Sequence, residues 1–389
     1  MDFQPSEAQK ALVASVRALA QRELAGAGVA DAGGVPRDIL AKLAAAGLAG
    51  IAMPISDGGQ GGLLLDAVLA LEAMTELSPV GGDCLAALNF GAIQQLAHHG
   101  SADIKQRFLA PCLAGARLAA VAMTEPDAGS AVTDLRARAH IEDDGVVLNG
   151  QKIFTTNAAT ADLFVVWARF GDSSRDAGAV VVERGAPGFK VDADHRFMSG
   201  DAYGVLYLDG CRVPRGNVLL DGDGFARLLS VFNVERLGNA ARSLAYGQAA
   251  FTRAVTHARE RRQFGRRLAE FQGLQWRFVE MKLQLEQARL LLYRAAADCD
   301  AGLPSPLDVS LAKVACNRAG FDVANQALQV LGAYGYDEDS ELSYLFRRTR
   351  GWMIAGGSIE QMLNRAASEI FGETFSQRPP RPPADTPRS

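Results

Sequence analysis

Cysteine is scarce in this chain, and what there is carries no pattern. Cys84, Cys112, Cys211, Cys299 and Cys316 are scattered through 389 residues with no CxxC spacing. An odd, dispersed set argues against a disulfide framework and points to reduced thiols in a cytosol-like compartment. Histidine is equally sparse: of five, only His98 and His99 lie close together. Adjacent side chains on a helix point apart, so no metal site is expected. No run of about 18 apolar residues appears, so no transmembrane helix is expected. The first ten residues, MDFQPSEAQK, lack the charged and apolar regions of a secretory signal. Charge of one sign is also lacking. A net charge of −4 and a pI near 5.8 offer no surface for a polyanion such as nucleic acid. Apolar residues are abundant, 48% of the chain against 22% charged, enough for two or three packed units.

Three regions follow one another. Residues 1–115 read as helical. Ser6-Glu7-Ala8-Gln9 has the form of a capping box, with Ala8, Leu12, Val16 and Leu19 at helical spacing behind it. Pro36 opens a second helix that runs towards Gly47. Further helices are expected over about 63–78 and 84–99 and from Ser101 to about Leu109. The glycine-rich loop Asp57–Gly62 has no following Lys-Ser/Thr and no preceding strand, so it carries little weight as a phosphate loop. Residues 116–223 read as a β domain. Leu118–Met123 is an apolar strand broken by Thr124-Glu125-Pro126-Asp127-Ala128-Gly129-Ser130. Leu135–Ile141 alternates, and Val146–Leu148, Asn149-Gly150 and Gln151–Phe154 read as a hairpin turning at Asn-Gly. Strands are also expected at 163–168, 179–182, 205–208 and 211–213. Strands grouped between helical regions, rather than alternating with helices, disfavour a Rossmann fold. From 224 to 375 the pattern is helical again. Leu274, Phe278, Met281, Leu285, Ala288, Leu292, Ala295 and Cys299 form one seam, a core or subunit contact of a four-helix bundle. Helices are expected over about 307–331 and 341–371. The tail, 376–389, is proline-rich and expected to be disordered.

Four blocks in this order carry a resemblance. They are MTEPDAGS (Met123–Ser130), NGQKIFTTNA (Asn149–Ala158), RERRQFGRRLAEFQGLQ (Arg259–Gln275), and QVLGAYGY (Gln329–Tyr336) continuing to IAGGS (Ile354–Ser358). Together they resemble the acyl-CoA dehydrogenase family of flavoproteins over about residues 3–372. The resemblance implies an α+β fold with an N-terminal helical domain, a middle β domain and a C-terminal four-helix bundle. It implies FAD as cofactor, acyl-CoA as substrate, an electron-transfer flavoprotein as electron acceptor, and a homodimer or homotetramer in the cytoplasm serving fatty acid or amino acid catabolism. It also implies roles for particular residues. Met123 and Thr124 meet the flavin pyrimidine edge. Ser130 lies near pantetheine or the flavin pyrophosphate. Phe154 stands where a Trp usually walls the isoalloxazine, keeping an aromatic face without the indole N–H. Thr156 donates to flavin N5. Arg261, Gln263 and Phe264 reach the FAD of a neighbouring subunit, where an Arg fork suits a pyrophosphate. Gln329 and Gly332 contact the adenosine half, and Ser358 and Glu360 complete the site.

Two positions depart from the family pattern. Arg348 follows Arg347 where an Asp is usual. Gly356 stands where many members carry the catalytic Glu. The isovaleryl- and long-chain-type enzymes place that Glu on another helix, and the matching stretch here, Asn233-Val234-Glu235-Arg236-Leu237, offers Glu235. The reaction needs a carboxylate at the α-carbon of a thioester and stabilisation of the enolate-like oxygen. The resemblance implies that the oxygen is held by a flavin ribityl hydroxyl and the Gly356 backbone N–H. The first expectation is therefore FAD-dependent α,β-dehydrogenation with Glu235 as base. Against it stand a same-fold enzyme of different chemistry (acyl-CoA oxidase, flavin monooxygenase, carrier-protein-bound acyl dehydrogenase or sulfinopropanoyl-CoA desulfinase-like) and a flavin-free binding protein.

Overall fold

The computed structural model describes residues 4–24, 34–173, 176–300 and 302–376; the tail expected to be disordered lies outside them from residue 377. The N-terminal region is helical: α1 Glu7–Glu23, α2 Arg37–Ala45, α3 Leu64–Leu77, α4 Pro79–Ala87, α5 Ala92–His99, and the short α6 Ala102–Ile104 and α7 Ala110–Leu113 joined by a π turn. The capping box at Ser6 is made as expected, Gln9 N donating to Ser6 Oγ and Ser6 N to Gln9 Oε1. The helix expected over 84–99 is instead two helices, α4 and α5. Buried Asn89 breaks it, because its amide donates to Leu48 O and Leu85 O while Ile51 N donates to its Oδ1. These side-chain bonds compete with the helix ladder.

The middle region is an eight-stranded sheet: β1 Ala119–Ala122, β2 Arg138–Glu142, β3 Gly145–Thr156, β4 Leu163–Arg169, β5 Ala177–Glu183, β6 Phe189–Arg196, β7 Ala202–Val213 and β8 Val218–Leu220. Its order is β6-β7-β3-β2-β4-β5-β8, with β1 parallel to β4. Asn149-Gly150 is not a hairpin turn. It is a bulge inside the continuous strand β3, where the register against β7 shifts, and the chain turns earlier, between Glu142 and Gly145. Tertiary packing selects the bulge: Asn149 Oδ1 accepts from Gly210 N, and a Cβ on Gly150 would lie 2.7 Å from Ala137 Cα. The two strands expected at 205–208 and 211–213 are likewise one, β7. The core of the sheet runs through β4 and β5, where every residue except the last of each strand is buried.

The C-terminal helices are α8 Phe225–Glu260, α9 Gln272–Ala297, α10 Pro306–Leu331, α11 Ala333–Tyr336, α12 Glu341–Trp352 and α13 Ile359–Phe371. A small ribbon, β9 Arg262–Gln263 and β10 Arg266–Arg267, joins α8 to α9. Helix α10 packs against α8, α9, α12 and α13. The α9 seam faces this core through Met281, Leu285, Ala288, Leu292 and Ala295, all buried. The single helix expected over 341–371 is broken into α12 and α13. Gly356 and Gly357 both take positive φ, and Ser358 then caps α13.

Candidate active site

The MTEPDAGS loop is shaped by an ion pair that its sequence does not single out. Lys152 on β3 is fully buried, and its Nζ donates to Glu125 Oε1 at 2.7 Å and to Met123 O at 3.1 Å. Glu125 also accepts from the backbone N–H of Arg136 and Ala137. Burial pulls the Lys152 amine down to about 8, against the pull of Glu125 in the other direction. A second tie, Ile153 N to Thr124 O at 2.9 Å, docks the two blocks edge to edge. Glu125 and Lys152 stand 27 residues apart in different blocks, so no local pattern pairs them.

Above this pair lies an open aromatic wall. Phe154 is 49% exposed and takes a left-handed backbone, φ 58°, unusual for a bulky residue. Tyr203 and Phe197 brace its ring at 5.1 and 6.0 Å. The Thr124 and Thr156 hydroxyls make no hydrogen bond to the described residues. An exposed ring held in a strained backbone beside free hydroxyls fits the face and edge of a flat, polar ring system such as a flavin. Ser130 is exposed at the far end of the loop.

Glu235 sits in the N-terminal third of α8, its side chain 21% exposed. Its Oε2 lies 3.1 Å from the place a Cβ on Gly91 would occupy, and its Oε1 lies 3.5 Å from Arg242 Nη2. Burial raises its carboxyl above the ordinary value, while Arg242 and Lys313 partly offset the rise. One turn further, Asn239 Nδ2 occupies the space that a Cβ on Gly356 would need. Arg236 Nε donates to Gly356 O at 3.0 Å. The structure therefore brings Glu235 and Gly356 to one site, across the contact of α8 with the turn before α13. Beneath that turn, Lys313 of α10 is fully buried and donates to Trp352 O; burial pulls its amine down to about 7.

Arg348 explains its departure from the family pattern. Its Nη2 meets both oxygens of Asp83 on α4, its Nη1 meets Asp201 just before β7, and it also donates to Tyr246 Oη at 3.1 Å. Asp83 in turn pairs with Arg242 at 3.1 Å. This one side chain ties the three regions together behind the site. Adjacent charges in sequence would not reveal it, since Asp83 lies 265 residues upstream, in another region of the chain.

The remaining expected residues lie elsewhere. Arg261, Gln263 and Phe264 are exposed on the ribbon after α8, with Phe264 in a left-handed backbone. Arg261 stacks over Tyr334 at 5.4 Å, which places it beside Gly332 and the exposed Gln329 at the end of α10. No hydrogen bond, ion pair or ring contact of the described residues links this ribbon to Phe154, Thr156 or Glu235. Ser358 caps α13 and accepts from Gln361 N. Glu360 lies in the first turn, where its own backbone N–H and then the Ser358 hydroxyl hold its carboxyl below the ordinary value.

Comparison with known proteins identifies the family. Family models described as the N-terminal, middle and C-terminal domains of acyl-CoA dehydrogenase match residues 6–116, 120–211 and 222–371. The chain is 34% identical to the 3-sulfinopropanoyl-CoA desulfinase of Paraburkholderia xenovorans, over 97% of this chain and 99% of that one. It is 31% identical to the short-chain specific acyl-CoA dehydrogenase of Clostridium acetobutylicum, over 95% and 100%. The solved structure of butyryl-CoA dehydrogenase from Megasphaera elsdenii superposes with a TM-score of 0.88 at 28% identity, covering 95% of this chain and 100% of that one. With all three domains matched along the chain, it belongs to the acyl-CoA dehydrogenase family of FAD-dependent oxidoreductases acting on acyl-CoA.

Proposed function

We propose that Glu235 is the base in α,β-dehydrogenation of an acyl-CoA, with the Gly356 backbone N–H as a donor to the thioester oxygen. The observation that carries this reading is the docking of the Glu235 turn of α8 directly on the Gly356 turn, through Arg236 and Asn239. The carboxylate missing at Gly356 is supplied from the opposite wall of one site. Burial raises the basicity of Glu235, which suits removal of a weakly acidic α-proton. Arg236, by holding Gly356 O, orients the peptide unit that follows it. Met123, Thr124, Ser130, Phe154 and Thr156 would hold the isoalloxazine half of FAD. Arg261, Gln263 and Phe264 would receive the FAD of a second subunit, Gln329 and Gly332 would contact its adenosine half, and Ser358 and Glu360 would complete the site. When bound, FAD supplies the acceptor for the hydride leaving the β-carbon.

The exposed ribbon and the outer face of α9 support assembly. Trp276, Val279, Leu283 and Leu290 recur at helical spacing on α9 and are exposed, as is Phe264. The reading is a homodimer or homotetramer. It includes transfer of electrons to an electron-transfer flavoprotein, a cytoplasmic location, and a role in fatty acid or amino acid catabolism. No helix of the described residues is long and apolar enough to cross a membrane. A desulfinase-like reaction without a base is the second reading, favoured by the absence of a carboxylate at Gly356; the retained Glu235 favours dehydrogenation. The test is Glu235→Gln, assayed by anaerobic flavin reduction with a panel of acyl-CoAs. A general base contributes about 10²–10⁴-fold, so reduction slows by that factor while FAD and acyl-CoA binding hold. Reduction at the parent rate would sink the assignment and favour base-free chemistry.

A further inference from the structure

Behind Glu235 the site ends in a knot of charged groups in which three donors lack acceptors among the described residues. Arg242 and Arg348 are 7% and 8% exposed, and both lie against Trp352, at 4.1 and 5.3 Å from the ring centre. Their shared partner Asp83 joins them, and Arg242 reaches back to Glu235. Three N–H groups in this knot, Arg242 Nε, Arg348 Nε and Trp352 Nε1, are buried and bond to nothing among the described residues. Buried donors without partners are uncommon in native structures, and each is a reason to look for a ligand. Three guanidinium groups, Arg236, Arg242 and Arg348, lie among three carboxylates, Asp83, Asp201 and Glu235. Among the described residues, Arg236 donates to Gly356 O and the Asn233 amide oxygen rather than to a carboxylate. A long alkyl tail directed here would strip these groups of polar contact and offer nothing in return.

We infer that the site takes a short acyl group bearing an acidic substituent, with the anion held by Arg242, Arg348 and Trp352 beyond the Glu235 carboxylate. This rests on the reading that the thioester binds between Glu235 and Gly356. The substituent supplies the missing acceptor atoms. A guanidinium is suited to a carboxylate or sulfinate by its fork of donors, and the indole N–H adds direction.

The experiment compares CoA thioesters matched in carbon number on purified, FAD-loaded protein. Succinyl-CoA and glutaryl-CoA are set against butyryl-CoA and pentanoyl-CoA, and Kd is read anaerobically from perturbation of the flavin spectrum. The acidic thioesters should bind at least about tenfold more tightly, equivalent to about 1.4 kcal/mol. Arg242→Met should bring the two classes to within about twofold, and Trp352→Phe, which removes a single N–H and keeps an aromatic ring, should lose about half of the preference in logarithmic terms. Equal binding of all four by the unaltered protein overturns the acidic subsite alone. Binding of none of them overturns the acyl-CoA placement on which it rests. A preference that survives in Arg242→Met and Trp352→Phe also overturns the assignment.

Discussion

Restoring a carboxylate by Gly356→Glu is the obvious repair for a disabled Glu235, and the structure predicts that it fails. Gly356 has φ 70°, a backbone conformation that disfavours a side chain by about 1–2 kcal/mol. Its Cβ would also run into Asn239 Nδ2, well inside contact distance. Asn239 cannot simply swing away, because its Oδ1 accepts from Arg242 Nη2 at 2.7 Å, and Arg242 is tied to Asp83 and Glu235. Forcing atoms into such a site adds about 1–3 kcal/mol. The two terms give a loss of about 2–5 kcal/mol in unfolding free energy. Urea unfolding of the FAD-loaded protein measures it. Gly356→Ala should lose nearly as much, since both terms arise at Cβ. Glu235→Gln/Gly356→Glu should reduce its flavin no faster than Glu235→Gln alone. Adding Asn239→Ala should recover the steric part and leave the backbone part. Gly356→Ala within about 0.5 kcal/mol of the parent, the range of an inert surface change, would refute the reasoning.

Three further outcomes follow from the geometry. Lys152→Met leaves Glu125 buried without its cation, so unfolding free energy should fall by about 3–5 kcal/mol with weaker FAD retention; a neutral result in denaturant would show that the pair does not organise the loop. Because burial raises the Glu235 carboxyl, and Arg242 on α8 and Lys313 on α10 only partly offset it, the base is protonated as pH falls through a value above the ordinary 4.5. Flavin reduction should therefore have an acid limb above that range, read by stopped flow, and Glu235→Gln should abolish that limb. Phe154→Ala should loosen FAD by about 1 kcal/mol beyond the lost area or shift the flavin spectrum, while Thr156→Val slows reduction with little change in stability; unchanged spectra and rates in both would displace the second block from the flavin site.

Much of this protein was legible in the chain itself. Local signals determined the order of helical, β and helical regions, the capping box at Ser6, the buried seam of α9 and the strand leading into Met123, because each rests on periodicity or on side chains within one turn. The family resemblance also singled out positions 235 and 356 as the two places where the catalytic Glu can stand. Tertiary structure decided the rest. Asn149-Gly150 has the form of a turn, but pairing with β7 and contact with Ala137 made it a bulge within β3. Asn89 ended a helix through bonds to Leu48 and Ile51, about forty residues away, which no local pattern announces. The Lys152–Glu125 pair and the Arg242–Asp83–Arg348–Asp201 network join residues far apart in sequence. Their stability depends on burial and on complementary charge, and neither exists until the three regions have packed together.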